Sequence, residues 1–288
     1  MTFADLIPIA IKLSIVLLVF ALGLHADWRD ATSVFRQPRL LVRPILAMAV
    51  LMIAFVVAIA SVFDLQPAIK IAILALAVSP VPPLLPNRQQ MAGGSGSYAI
   101  GLVVAAALIS IVSMPFFVAV LGVYFHAETH MQFRQVATIV AVSVIAPLAA
   151  GMFVRYVAPE FTERIVKPVS IFANVLLVVA ALIVLFNLSG TIWGMIGHGV
   201  LVVLALFTLV GIAIGHFLGG PNPDDRTVLA LATGIRHPGL AMAIASVNFP
   251  DQKAAVLAVV VCHVIVGLIL SVPYLIWRKR SHAARVQP

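Results

Sequence analysis

The fold is decided by the stretch TGIRHPG at residues 233–239, which interrupts an apolar run from Thr227 to Phe249. Two glycines, a proline and an arginine coincide near the middle of that run. A proline has no amide hydrogen to donate and its ring clashes with the preceding helical turn, so one helix ends here and another begins. A second stretch, SPVPPLLP at residues 79–86, holds four prolines and ends the run that begins at Pro67. The sequence therefore predicts two broken helices.

The composition indicates that lipid surrounds the chain. Of 288 residues, 62% are hydrophobic and 10% are charged, whereas soluble domains carry about 25% charged residues. Apolar runs near 20 residues long predict transmembrane helices, because a backbone in hydrocarbon must pair its amides and carbonyls within its own segment. The chain is thus predicted to be an all-α polytopic membrane protein. Nine transmembrane spans are predicted, at residues 5–25, 41–63, 67–91, 97–125, 135–154, 168–188, 199–218, 226–249 and 255–277.

The basic residues set the predicted orientation through the positive-inside rule. With nine spans, most of the 18 lysines and arginines fall on one side, including the cluster between Arg29 and Arg43. Only Arg134 and Lys253 fall in loops on the other side. We therefore expect an external N-terminus, a basic cytoplasmic tail at 278–288 and a location in the plasma (inner) membrane.

The two breaks fall at comparable places in the two halves of the chain. We expect one transmembrane domain over 1–288, built from a first half-repeat at about 5–125 and a second at about 135–277. Paired interrupted helices in two halves are typical of a transporter's binding site, because unwound backbone presents unpaired amides and carbonyls to a ligand. The alternative is that each set of prolines only kinks a membrane helix.

Several stretches together resemble the bile acid:sodium symporter family. They are GIRHPGLA at residues 234–241, the Ser79-Pro80 break, the run from Ile11 to Gly23 with the basic loop after it, and the nine-span pattern. The resemblance implies a panel domain and a core domain, inverted repeats, two discontinuous crossing helices and alternating access for organic anions. A member of that family with ten spans would have one more helix at its N-terminus.

The resemblance also implies sodium ligands, and this sequence departs from that pattern. The stretch from Val81 to Pro86 carries no side-chain oxygen, and the expected Ser/Thr pair of the next helix falls on Ala107 and Leu108. The expected glutamate and glutamine of the second broken helix are replaced by Ala232 and Arg236. We therefore predict no cofactor, with sodium left possible although its expected ligands are not found.

Arg236 is the predicted anchor of an anionic substrate. A guanidinium is always protonated, and an arginine at the middle of a membrane costs about 2.5–3.5 kcal/mol to insert, so it should face a polar cavity or a partner. The acidic residues near the spans, Asp5, Asp64 and Asp251, all lie close to span edges. The alternative is a structural arginine that pairs with carbonyls released at the break.

The other predicted substrate-binding residues surround the two breaks. His237 could change its charge near neutral pH, which would suit a proton-coupled cycle, or it could be a neutral histidine bonded to unwound backbone. His263 and Cys262 are predicted to pack helices. The remaining predicted binding residues are Thr233, Gly234, Ser79, Pro80, Asn87 and Gln90.

These predictions favour a secondary transporter that moves a small organic anion, bile-acid-like or a carboxylate, by alternating access. An ordinary sodium-coupled symporter is the first alternative. An intramembrane enzyme and a ligand sensor are alternatives from other classes. For an enzyme the sequence offers no H-E-x-x-H, and Gly93 to Ser97 does not fit G-x-S-x-G. The expected partners are the small anion and the lipid bilayer, with no nucleic acid. Substrate identity and oligomeric state stay open.

Overall fold

Every element of the described chain is a helix. The computed structural model describes residues 3–82, 94–196 and 199–286, and no strand occurs in these ranges. The all-α prediction is therefore confirmed. The helices are α1 (Phe3–His25), α2 (Trp28–Thr32), α3 (Pro38–Val62), α4 (Pro67–Val78), α5 (Gly96–Tyr124), α6 (Phe133–Val157), α7 (Pro159–Asn187), α8 (Ser189–Ile196), α9 (Val200–Leu218), α10 (Pro223–Gly234), α11 (Pro238–Asn248) and α12 (Lys253–Val286).

Seven segments of the described chain are long and apolar enough to cross a membrane. They are Pro38–Val62, Gly96–Tyr124, Phe133–Val157, Pro159–Asn187, Val200–Leu218, Pro223–Asn248 and Pro250–Ala283. Two further predicted spans coincide with shorter apolar helices, Ile9–His25 and Pro67–Val78. The count of nine spans and the inverted repeat thus remain predictions.

Both predicted breaks are confirmed. Helix α4 ends at Val78, and the backbone of Ser79 is extended. Helix α10 ends at Gly234, the backbone is extended at Ile235 and His237, and α11 begins at Pro238. The fixed φ of proline suits the first turn of a helix, so Pro238 starts the second half-helix instead of only bending a continuous one.

Two predicted span boundaries differ from the structure. Helix α7 begins at Pro159, nine residues before the predicted start, and Pro168 lies inside it. Helix α12 continues through most of the predicted basic tail to Val286. In both places the charged residues had been assigned to loops, but a helix can extend beyond hydrocarbon because its hydrogen bonds stay within the segment.

The helices form two packed groups. Helix α1 packs against α6 and α7, and a Cβ on Gly23 would lie 3.0 Å from the Cα of Gly151, so these two backbones touch. Helix α9 packs against α10 in the same way, because a Cβ on Gly211 would lie 2.6 Å from the Cα of Gly234. Small residues let membrane helices approach this closely. Helices α4, α11 and α12 also pack against one another.

Two spans contain wider π-helical turns, at Ile45–Leu51 in α3 and Ala141–Ile145 in α6. A π-helical turn shifts the backbone hydrogen-bonding pattern and is frequent at functional sites. The first of these turns lies beside the broken helices, where it supplies the carbonyl oxygen of Met48 described below.

Candidate functional site

The two breaks lie against each other. The backbone amide of His237, in the second break, donates a hydrogen bond of 2.9 Å to the carbonyl oxygen of Pro80, in the first. Helices α4 and α11, which flank this contact, are packed together. Unwound backbone inside a membrane needs partners from neighbouring segments, and here each break supplies one to the other.

Arg236 reaches from the second break across to the first. Its side chain is buried, with 1% of its surface exposed. Nη2 donates to the carbonyl oxygens of Ala77 and, at 2.8 Å, of Met48. Ala77 lies in the last turn of α4, where carbonyls lack helical partners and the helix end carries partial negative charge. These bonds are the ones expected for a structural arginine at a break.

Two of the three guanidinium nitrogens nevertheless have no hydrogen-bond partner among the described residues. Nε and Nη1 of Arg236 have no hydrogen-bond partner in the described part of the chain. Within residues 3–82, 94–196 and 199–286, the salt bridges join other residues, Arg155 to Asp27 and His282 to Asp224. A buried charge that has no partner lowers the free energy of unfolding by several kcal/mol. Among the described residues, Arg236 therefore has a positive charge without a carboxylate partner and two nitrogens without an acceptor.

A cavity of about 50 Å³ adjoins this guanidinium. It lies between α3, the first break and α5, and its walls are mostly apolar. Its polar lining comes from Arg236 and from three serines, Ser79, Ser110 and Ser113. Cavities of this size can hold a few waters or a small group. Arg236 is thus one of the few polar residues in the wall of this cavity.

His237 contributes a second donor. Its ring is buried, and Nδ1 accepts the backbone N–H of Leu240 at 3.3 Å, which caps the start of α11. In a neutral imidazole one nitrogen accepts and the other carries the proton. The proton of neutral His237 is therefore on Nε2, which has no acceptor among the residues described here. A Cβ on Gly239 would lie 3.1 Å from Cε1 of the His237 ring and 3.7 Å from Cδ1 of Ile15 in α1.

The other predicted binding residues make local hydrogen bonds, pack against neighbouring helices, or lie outside the described residues. Thr233 donates its hydroxyl hydrogen to Leu229 of its own helix at 2.8 Å. Gly234 packs on the backbone of α9. Ser79 donates to Leu76 at 2.8 Å and lines the cavity. Two predicted residues, Asn87 and Gln90, lie outside the described residues.

Sequence reasoning missed three contributors. Met48 acts through a backbone carbonyl, for which its side chain gives no signal. Ser110 and Ser113 line the cavity. Residues three apart lie on one face of a helix, so the sequence could have indicated that these two serines face the same space. Thr208 and His263 are also buried, and both have side-chain atoms without a hydrogen-bond partner in the described chain.

The comparisons with known proteins identify the family of the chain. The profile described as "Sodium Bile acid symporter family" matches residues 12–195, more than half of the chain. The chain belongs to the sodium bile acid symporter family. The matched residues include the first break and end before the second, so the family match does not extend to Arg236 or His237.

Three family relatives are similar over 214 residues. Each is named sodium/bile acid cotransporter 4, and they come from Homo sapiens at 27% identity, Rattus norvegicus at 26% and Mus musculus at 27%. The alignments cover 70% of this chain and 47% of each relative. The chain thus spans about half the length of the curated relatives it matches.

Proposed function

We propose that this protein is a secondary transporter that moves a small organic anion across the membrane by alternating access, with Arg236 as the electrostatic anchor. One observation carries the proposal. The guanidinium is buried where the two breaks meet, and Nε and Nη1 have no partner in the described structure. An anion would neutralise the charge and accept from both nitrogens, as carboxylates do with arginine.

The other groups at the second break also favour a negative ligand. The Nε2–H of neutral His237 is a donor. The first turn of α11 starts beside it, and the N-terminus of a helix carries partial positive charge. Arginine, imidazole N–H and helix end all attract an anion. A carboxylate or sulfonate group of a small organic anion matches this set.

The same geometry argues against a sodium ion beside Arg236. Sodium would need several oxygen ligands, but the carbonyl oxygens of Ala77 and Met48 already accept from the guanidinium. A second cation there would also be repelled. The described residues contain no cluster of three or more His, Cys, Asp or Glu side chains that could hold a metal. The described residues beside Arg236 therefore do not fit a sodium ion, and the proposal places none there.

The two packed groups support the proposal of alternating access. Helices α1, α6 and α7 form one group, whereas the broken helices pack with α9 and α12. We expect the second group to carry the anion past the first, as rigid bodies move around a site in related architectures. The proposal keeps nine spans in one domain of the plasma (inner) membrane, with the N-terminus outside and the C-terminus in the cytoplasm.

The test is thermal unfolding of the purified protein against a panel of acetate, benzoate, succinate and taurocholate, each as sodium and potassium salts. A ligand that binds only the folded state raises Tm. We expect one or more anions to raise Tm equally in both salts. Arg236→Gln should lose this stabilisation, and Arg236→Lys should retain part of it because the charge remains. Arg134→Gln, at an exposed arginine, is the matched control and should behave like the wild type.

Two results would overturn the proposal. Stabilisation that requires sodium would restore the ordinary symporter alternative. Stabilisation that survives in Arg236→Gln would remove the anchor, even if the protein binds anions elsewhere. Uptake of the stabilising anion into proteoliposomes, measured with and without a sodium gradient, then tests transport itself.

A further inference from the structure

The cavity beside Arg236 has an almost entirely apolar wall. Among the described residues, Arg236 is the only charged one that lines it, and the other polar ones are Ser79, Ser110 and Ser113. A second negative charge on a ligand would therefore be buried here without a partner, which strongly disfavours binding. The wall thus fits an anion that carries a single negative charge.

The three serines differ in what their hydroxyl groups do. The hydroxyl of Ser79 donates to the carbonyl oxygen of Leu76 at 2.8 Å, and that of Ser110 donates to the carbonyl oxygen of Ala107 at 2.6 Å. Serines in helices often bond to the preceding turn in this way, and the hydrogen is then not available to a ligand. The hydroxyl of Ser113 makes no hydrogen bond within the described part of the chain. Its hydrogen is therefore available to a ligand.

Ser113 and Arg236 border the same cavity from different helices. Ser113 is half-buried on α5, and Arg236 is buried in the break between α10 and α11. Residues three or four apart are neighbours on a helix, and one such face of α5 lines the cavity with Ala106, Ile109, Ser110, Ser113 and Phe117. The cavity therefore places a cation in one wall and a free neutral hydrogen-bond donor in another.

The volume of the cavity limits the size of the ligand. One water needs about 10–15 Å³ of such space, so the cavity of about 50 Å³ holds about four waters. A steroid or an aromatic acid is much larger than this space. Carboxylic acids that match it have about two to four carbon atoms.

We propose that the transported substrate is a small monocarboxylate that carries one uncharged oxygen atom, and that the hydroxyl of Ser113 donates a hydrogen bond to this oxygen. Hydroxyl, keto and ether oxygens all accept such a bond. A site with a free donor discriminates against an analogue that lacks the acceptor, because the donor then stays without a partner. Ser113 is thus a specificity-determining residue. The inference rests on the proposed function, because the carboxylate binds at Arg236.

Two acids of nearly equal shape test this role. In methoxyacetate an ether oxygen replaces one methylene group of butyrate, and both acids are ionised at about pH 7.5. Their affinities are measured by titration of the purified protein, since a ligand of the folded state raises Tm. We expect the wild type to bind methoxyacetate about three- to tenfold more tightly than butyrate, which is the contribution of one neutral hydrogen bond.

Ser113→Ala should remove this preference. The variant should bind butyrate at least as tightly as the wild type does, because no donor is left without a partner, and it should bind methoxyacetate no more tightly than butyrate. A purely structural role of Ser113 would weaken the binding of both acids alike, so the ratio of the two affinities separates the roles. If Ser113→Ala does not fold, the comparison of the two acids on the wild type still decides.

Ser143→Ala is the matched control. Ser143 is half-buried on α6, and its hydroxyl donates to the carbonyl oxygen of Ile139 at 2.6 Å. It does not belong to the described wall of the cavity. This variant should keep the wild-type preference for methoxyacetate.

Malonate tests the limit to one charge. It is close to methoxyacetate in size but carries two ionised carboxylates at about pH 7.5. Because the second carboxylate would have no cationic partner in the described wall, malonate should bind at least about tenfold more weakly than methoxyacetate.

Each other outcome overturns a defined part. If no anion of any size raises Tm, or if Arg236→Gln is stabilised as well as the wild type, the proposed function fails and this inference fails with it. If only larger anions such as benzoate or taurocholate bind, and they require Arg236, the proposed function stands and this inference fails. It also fails if methoxyacetate and butyrate bind equally to the wild type, or if the preference survives in Ser113→Ala. Malonate that binds as tightly as methoxyacetate would refute the limit to one negative charge.

Discussion

The backbone amide of His237 donates a 2.9 Å hydrogen bond to the carbonyl oxygen of Pro80, and this bond joins the two breaks backbone to backbone. It depends on an irregular backbone in both partners. Pro80 cannot continue α4, so the chain turns out of the helix and its carbonyl becomes available. The extended conformation at His237 likewise frees an amide that an intact helix would use. This contact therefore exists because both helices are broken.

Replacing Pro80 tests this dependence. In Pro80→Ala the new N–H can extend α4, and the constraint that proline places on Ser79 is removed. The carbonyl at position 80 would then turn away from His237. We expect the free energy of unfolding to fall by about 1 kcal/mol, the usual contribution of one hydrogen bond. This loss should appear as a lower Tm, and the anion should raise the Tm of the variant less than that of the wild type.

Pro115→Ala is the matched control for this change. Pro115 lies inside α5, which continues through it, so alanine there adds a helical donor without altering a break. Its Tm should equal or exceed that of the wild type. If Pro80→Ala behaves like Pro115→Ala, the bond between the breaks contributes nothing to the fold.

Because α9 packs closely on α10, one added methyl group at this contact should strongly lower the stability of the protein. A Cβ on Gly215 would lie 2.6 Å from the Cα of Ala230, and the neighbouring atom is backbone, which cannot move alone. Gly215→Ala should therefore destabilise the protein by about 1–3 kcal/mol, as overpacking does. Gly190→Ala is the control, because a Cβ there meets nothing within 4 Å. Equal Tm values for the two variants would contradict the packing.

Arg278 should stabilise the contact between α12 and the start of α10. Its side chain is buried, and it donates to Oγ1 of Thr227 at 2.8 Å and to the carbonyl of Pro223 at 2.6 Å, which joins α12 to the start of α10. Arg278→Ala removes both bonds and should cost about 1.5–3 kcal/mol, the range for charged hydrogen bonds. Arg280→Ala removes an equal charge from an exposed position and should leave Tm unchanged. Both variants weaken the positive-inside signal equally, so a difference between them reports the hydrogen bonds.

The breaks could be predicted from the sequence because proline and glycine act locally. The four prolines at 79–86 and the cluster at 233–239 end a helix in almost any environment. Helix ends were less predictable where charge was the only signal. Pro168 lies inside α7 because the helix had already begun at Pro159, where proline is suited to the first turn.

The partners of the site residues could not be predicted, because they depend on contacts between distant parts of the chain. Arg236 stood out as a charge in an apolar run, but the acceptor on Met48 requires the π-helical turn in α3. His263 was interpreted as a packing residue. It does pack against Phe207, and only the three-dimensional structure shows that both ring nitrogens are left without described partners.

The cavity beside Arg236 gives the sharpest test of where the anion binds. Ala106 lines it from α5, and leucine adds three carbon atoms, which would fill much of a cavity of about 50 Å³. The larger side chain in Ala106→Leu should exclude the anion. We therefore expect the affinity for the anion to fall at least about tenfold, which corresponds to about 1.4 kcal/mol of binding free energy. Unfolding without anion should be little changed, because the leucine replaces empty space. Ala119→Leu, at an exposed position of the same helix, should bind normally. If Ala106→Leu binds the anion as well as Ala119→Leu does, the free donors of Arg236 serve a ligand that approaches from elsewhere, such as the side of His237 and α1.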